Sequence, residues 1–80
     1  MSMTEAPARF SACAPDQRQI PHHMMPEAQS FEDAAVYFAD IWHPDLDEAG
    51  QVKVMVTDRR SGETHCFQVD VGAGEARRCD

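Results

Sequence analysis

The sequence predicts an α+β fold in which one helix packs on a small antiparallel sheet of three strands, in the order β-α-β-β. Residues 31–42 place apolar side chains at helical spacing, which is typical of an amphipathic helix. Residues 52–71 hold two runs of alternating apolar residues around a glycine-containing turn, the pattern of a β-hairpin. In a chain of 80 residues, the helix and the hairpin can bury their apolar faces only against each other.

The helix has recognisable start and stop signals. Ser30 can accept a hydrogen bond from an otherwise unpaired amide of the first turn, and Glu32 and Asp33 follow where the helix dipole favours negative charge. Pro44 disfavours helical geometry at His43 and therefore ends the helix. The predicted core face of the helix consists of Phe31, Ala34, Ala35, Phe38, Ile41 and Trp42.

The aromatic residues of the helix have two interpretations. Phe38 and Trp42 fall on the core face, where such residues are usually buried. The alternative is an exposed binding platform that includes Tyr37 at the edge of the stripe.

The alternation of the hairpin also fixes its register. A loop over residues 59–62 places Val54 opposite Phe67 and puts every large apolar residue on one side. A slip of one residue would oppose Val54 to Gln68, so the pattern selects against it.

Little regular structure is predicted before the helix, because four of the five prolines lie within residues 1–29. A weak alternation over Arg9–Cys13 predicts the first strand, at an edge of the sheet. Residues 14–29 are expected to form a loop. We expect a disordered tail over residues 1–7, one domain over residues 8–76 and a C-terminal tail over residues 77–80.

Fourteen acidic residues against seven basic ones give the chain a formal charge of −7. Nucleic acids and anionic membranes attract clustered Lys and Arg, whereas the densest basic groups here are the pairs Arg59-Arg60 and Arg77-Arg78. We therefore expect neither as a partner. The N-terminus does not resemble a secretory signal, and no apolar run approaches the roughly 20 residues of a membrane helix. A cytoplasmic location is predicted.

The cysteines and histidines lack the spacing of a metal site. Structural zinc needs four converging ligands, usually as two closely spaced pairs, and adjacent residues such as His65 and Cys66 point to opposite faces of a strand. The possible ligands are Cys13, His22, His23, His43, His65, Cys66 and Cys79. Three cysteines without a close pair fit reduced thiols better than a disulfide framework. The acidic group Asp45, Asp47 and Glu48 lacks the glycine and the distal glutamate of a calcium loop at the required spacing.

No residue set predicts catalysis. A nucleophilic Cys66 would need a nearby base and an electropositive setting, whereas His65 should face away and the surroundings are acidic. His22 and His23 lie between prolines and fit a solvated loop. We expect no catalytic residue, no bound metal and no other cofactor.

Several short runs resemble a family of small bacterial proteins, a domain of unknown function found mainly in alphaproteobacteria. They are Ser30-Phe31-Glu32, Ala34-Ala35, Trp42-His43-Pro44, the run over residues 65–70 and Gly74-Glu75. This resemblance implies a bacterial origin and a compact α+β domain, and it implies no activity. Val69-Asp70 followed by Gly74-Glu75 is also similar to the hairpin end of PepSY-type domains.

The function predicted from the sequence is a small non-enzymatic protein-interaction or regulatory module. The predicted sheet exposes an edge, and an exposed edge can add a strand from a protein partner or from a second copy of the chain. The alternative is a small metal- or thiol-dependent protein that uses Cys66, Cys79 and the nearby histidines.

Overall fold

The structure of the protein is a computed structural model that describes residues 9–17 and 23–79. The described residues form a helix and five strands: β1 (Phe10–Cys13), β2 (His23–Met25), α1 (Phe31–Trp42), β3 (Gln51–Asp58), β4 (Thr64–Asp70) and β5 (Glu75–Arg78). The strands build one antiparallel sheet in the spatial order β2-β1-β3-β4-β5. The expected disorder of residues 1–7 concerns a segment outside the described residues.

The predicted three-stranded sheet with the order β-α-β-β is wrong, because the order along the chain is β-β-α-β-β-β. β2 lies within the predicted loop over residues 14–29, and β5 includes Arg77 and Arg78 of the expected C-terminal tail. Both strands are too short for an alternating pattern to distinguish them from loop. β1 is confirmed as a strand, but it lies between β2 and β3 instead of at an edge.

The predicted helix is confirmed at both ends. The Ser30 hydroxyl accepts a hydrogen bond from the Asp33 amide at 3.0 Å. At the other end, His43 adopts the left-handed conformation with a φ of 48°, and its amide donates to the Ala39 carbonyl at 3.3 Å. The helix therefore stops directly before Pro44, as its sequence predicts.

The predicted hairpin register is also confirmed, since Val54 lies opposite Phe67 and Val52 opposite Val69. Five residues, 59–63, lie between β3 and β4. The Asp58 amide donates to the Glu63 carbonyl at 2.8 Å, and this bond encloses the predicted four-residue loop 59–62. Gly62 closes the loop at a φ of +82°, a conformation that side chains rarely adopt.

The core lies between α1 and one face of the sheet. Its largest fully buried side chains are Phe38, Phe67, Val54, Val56 and Val69. Three buried alanines of α1, Ala34, Ala35 and Ala39, present small side chains to the sheet. The half-buried Phe31 ring closes one side of the core and makes an edge-to-face contact with the Phe10 ring, with 5.1 Å between ring centroids.

One disulfide corrects the expectation that all three cysteines are reduced. Cys66 and Cys79 are bonded, with their Cα atoms 5.2 Å apart and 13 positions apart in the sequence. The turn at residues 71–74 brings β5 back along β4, and the Cys79 amide donates to the Cys66 carbonyl at 2.9 Å. Because β5 was not predicted, this pairing was not visible in the sequence. Cys13 is a free thiol.

Contacts at both ends of the β1 segment fix its position. Arg9 donates from Nε and from a terminal nitrogen to the buried Asp58 carboxylate, at 3.2 and 2.9 Å. The Asp58 carboxylate also accepts from the Arg60 amide at 2.9 Å, inside the hairpin loop. Beyond the other end, the Gln17 side chain both donates to and accepts from the Asp45 backbone, each at 2.8 Å. These bonds join β1 to the hairpin and to the segment after α1.

We expect Phe38→Ala to destabilise the domain by about 3–5 kcal/mol, because truncation of a buried aromatic residue leaves a cavity. Small domains often have only about 5 kcal/mol of stability, so this variant should be largely unfolded. The matched control is Asp40→Ala on the exposed side of the same helix, with an expected change below about 0.5 kcal/mol. Urea unfolding followed by Trp42 fluorescence measures both, and equal midpoints would show that α1 does not dock through Phe38.

The Asp58 carboxylate should make stability depend on pH. The hydrogen bond from the Arg9 side chain, and then that from the Arg60 amide, lower the pKa of Asp58 from 3.8 to about 2. A lowered pKa in the folded state stabilises it above the unfolded pKa, so this contribution is complete above pH 3.8 and is lost as the pH falls toward 2. The urea midpoint of the wild type should therefore exceed that of Asp58→Asn above pH 3.8, and the difference should shrink below it. Arg9→Ala should show a weaker pH dependence than the wild type, and a difference between wild type and Asp58→Asn that persists unchanged at pH 2 would contradict the assignment.

Candidate functional site

An apolar groove lies between β2 and the C-terminal half of α1. It has a volume of about 220 Å³, and we call it the β2–α1 groove. Its lining residues are Met24, Met25, Pro26, Glu27, Ala28, Tyr37, Ile41 and Trp42. The groove is small and mainly apolar, so it suits the side chains of a larger partner better than a whole cofactor.

Three large apolar residues that line this groove are exposed to solvent. Met24 is 53% exposed, Ile41 52% and Trp42 42%. The prediction that Ile41 and Trp42 belong to the core is wrong. The last turn of α1 lies over the three-residue strand β2, which is too short to cover them. The exposed-platform interpretation is therefore the better one for Trp42, whereas Phe38 is fully buried.

Trp42 is held in place by a stacked aromatic pair. Its ring lies parallel to that of His23, with 3.6 Å between centroids and an angle of 9°. The His23 ring also lies 6.2 Å from that of Phe38, at the border of the core. His23 is therefore a structural residue of a strand and not part of a solvated loop. His22, its predicted companion, lies outside the described residues.

The strand that borders the groove is at an edge of the sheet. β2 pairs with β1, and no other described strand lies on its outer side. His23 contacts the aromatic rings of α1, and the alternation of a strand places Met24 on the opposite face of the sheet. Apolar side chains therefore lie on both sides of this edge, Met24 on one side and Ile41 with Trp42 on the other.

The segment around the groove is strongly acidic. Residues 26–50, which include all of α1, contain no lysine or arginine. Their seven acidic residues are Glu27, Glu32, Asp33, Asp40, Asp45, Asp47 and Glu48. The last turn of α1 also lacks a basic residue, so the negative end of the helix dipole reinforces this charge.

A second group of residues lies on the face of the sheet opposite α1. Cys13 pairs with Met55, Met55 pairs with Cys66, and Cys66 is bonded to Cys79. These residues form one row across the strands, which we call the sulfur row. The alternation of buried and less buried residues along β1 and β3 places Cys13 and Met55 away from the core. Sequence spacing gave no sign of this row, because it depends on the register of four strands.

The remaining predicted ligands do not join the sulfur row. His65 lies on the helix side, where its Nδ1 is 2.9 Å from a guanidinium nitrogen of Arg78 and its ring is 4.6 Å from Phe31. His43 is the C-cap of α1. Within residues 9–17 and 23–79, no group of three or more His, Cys, Asp or Glu side chains is arranged to hold a metal ion.

The acidic turn after the helix has a structural role. One Asp47 carboxylate oxygen accepts hydrogen bonds from the amides of Ala49 and Gln51, each at 2.9 Å. These bonds form the turn that leads into β3. Cys66, the candidate nucleophile, is bonded to Cys79.

A family model matches residues 8–80, nearly the whole chain. The protein belongs to a family of unknown function, DUF5961. No curated protein and no solved structure matches the chain. The match confirms the resemblance to a domain of unknown function, while the alphaproteobacterial distribution and the PepSY likeness stay predictions. Among the described residues, no helix is long and apolar enough to cross a membrane.

We expect the purified protein, produced without a histidine tag, to contain no stoichiometric zinc. Tetrahedral zinc needs four converging ligands, and the described histidines are dispersed over β2, the end of α1 and β4. Elemental analysis of the purified chain tests this. About one zinc per chain, removable only with loss of the fold, would contradict the prediction.

Proposed function

We propose that the protein is a non-enzymatic interaction module that binds an extended, basic segment of a partner protein as an added strand on β2. The observation that carries this proposal is the exposure of Met24, Ile41 and Trp42 on the two sides of a sheet edge. Strand addition uses backbone hydrogen bonds for affinity and alternate side chains for specificity. A partner strand with alternating large apolar residues would place them over Met24 on one face and in the β2–α1 groove on the other.

Charge favours a basic partner over a second copy of this chain. The segment 26–50 is acidic throughout, and each chain carries a formal charge of −7. A symmetric dimer through this edge would bring two acidic segments together, and like charges at an interface oppose association. Lysine or arginine residues that flank the apolar residues of a partner would instead be attracted to the acidic segment 26–50.

The composition of the groove supports binding more than catalysis. Acid–base chemistry needs positioned ionisable groups, whereas the ionisable side chains of the groove lining are Glu27 and Tyr37. Its other lining residues are apolar and contribute by burial.

We extend the proposal to a bacterial protein of the cytoplasm, where a reducing environment would keep Cys66 and Cys79 as thiols.

Selection of binding peptides from a random library of twelve-residue sequences tests the partner class. We expect enrichment of sequences that alternate large apolar residues with lysine or arginine. The affinity of the enriched peptide is then measured by titration against Trp42 fluorescence, since Trp42 is the only tryptophan and lines the groove. Binding should weaken as salt is added. Enrichment of acidic peptides, or of apolar residues at helical spacing, would overturn the proposal.

Two matched variants locate the site. Ile41 and Leu46 are similarly exposed, 52% and 47%, but only Ile41 lines the groove. Ile41→Ser should weaken peptide binding on the order of fivefold to tenfold, because the buried side chain contributes about 1 kcal/mol or more. Leu46→Ser should leave it unchanged, and equal effects would place the site elsewhere. A dimer of the peptide-free chain in sedimentation that is lost in Ile41→Ser would show that a second copy is the occupant.

A further inference from the structure

We propose that the dithiol form of the protein binds a cuprous ion, Cu(I), through the sulfur atoms of Cys66, Cys79 and Met55. This site is separate from the β2–α1 groove and does not depend on the proposed function. It follows from the sulfur row, which gathers every cysteine of the chain on one face of the sheet.

The geometry of the row places the three sulfurs within reach of one ion. The Cα atoms of Cys66 and Cys79 lie 5.2 Å apart, so their thiols remain neighbours after the disulfide opens. Met55 lies directly opposite Cys66 on the next strand, where Cβ atoms are roughly 4.5–5.5 Å apart. The long, flexible thioether of Met55 can turn toward the two thiols from that position.

The metal site forms when a dithiol reductant reduces the Cys66–Cys79 disulfide. The reductant transfers two electrons and two protons to the disulfide, the sulfur–sulfur bond breaks, and the reductant leaves as its own disulfide. Cys66 and Cys79 are then thiols, and each loses its proton when it binds the metal. Cys66 and Cys79 can therefore be joined in two ways, by their disulfide bond or by a bound metal ion.

The ligand set selects the metal. Thiolate and thioether sulfurs are soft ligands that favour Cu(I). Zinc would need four ligands, and the described residues hold no group of three or more His, Cys, Asp or Glu side chains suited to a metal. Two thiolates and one thioether are too few for zinc but suit a monovalent soft ion.

Charge on the same face supports the bound form. Two thiolates and one Cu(I) ion carry a net charge of −1. Two positions away along each strand, a parallel row places Lys53 opposite Gln68 and Gln68 opposite Arg77. Positive side chains beside a cysteine pair favour its thiolate form.

Cys13 lies outside the proposed ligand set. It is on the far side of Met55, two strand spacings from Cys66, or roughly 10 Å. Cys13 therefore provides an internal control.

The test compares the reduced and the disulfide-bonded chain. The chain is reduced with a water-soluble phosphine and desalted without oxygen, and Cu(I) is then offered as its bicinchoninate complex. We expect the reduced chain to remove one Cu(I) ion per chain from the dye, and the disulfide form to remove none. Far-UV circular dichroism checks that the reduced chain is folded. A reduced chain that takes no copper, or that unfolds on reduction, would overturn the proposal.

Four variants, all measured in the reduced state, assign the ligands. Cys79→Ser should abolish the removal of copper, and Met55→Leu should weaken affinity at least about tenfold, since even outer partners of a metal site contribute 10- to 100-fold. Met24→Leu alters another methionine of the same face, and Cys13→Ser alters the excluded thiol. Both should match the wild type. A Met55→Leu variant of unchanged affinity, an equal loss in Cys13→Ser, or Zn(II) binding as tight as Cu(I) would each refute the assigned site.

Discussion

Within the described part of the chain, one helix covers a sheet of five strands, and this imbalance leaves parts of the sheet uncovered. α1 has twelve residues and is about 18 Å long. It shields one face of the sheet but covers β2 incompletely. The described residues place no second layer on the opposite face, where the sulfur row lies. The β2–α1 groove therefore keeps exposed apolar residues, and the sulfur row lies on the face that α1 does not cover, with Cys66 itself buried.

The core and the β2–α1 groove are linked through β1. This strand carries β2 on one side and pairs with the hairpin on the other. The Arg9–Asp58 ion pair and the Gln17–Asp45 hydrogen bonds hold its two ends. Asp58 is buried and also bonded to the loop after β3, so one carboxylate connects the hairpin loop to the strand that carries β2. The exposed groove thus depends on contacts far from its own surface.

The parts of the fold that sequence predicted are those with long, local patterns. The helix ends follow from Ser30 and Pro44, and the hairpin register follows from valines that alternate over several residues. β2 and β5 have three and four residues, and they are strands because of the neighbours they pair with. The disulfide and the sulfur row could not be predicted for the same reason. The disulfide depends on the position of β5, and the row depends on that of β1 as well. The exposure of Trp42 depends on the length of the strand beneath it. The apolar periodicity of the helix carries no information about that length.

The two edges of the sheet differ in character, and this limits how far the protein can assemble. β2 presents methionines, whereas β5 carries Glu75, Arg77 and Arg78, and charged side chains discourage pairing at an edge. A strand that joins β2 therefore finds no equally receptive edge at the other end of the sheet. The charged residues of β5 therefore disfavour head-to-tail stacking of copies, which would produce an open filament. In the proposed complex, each domain would therefore hold one partner segment, at β2.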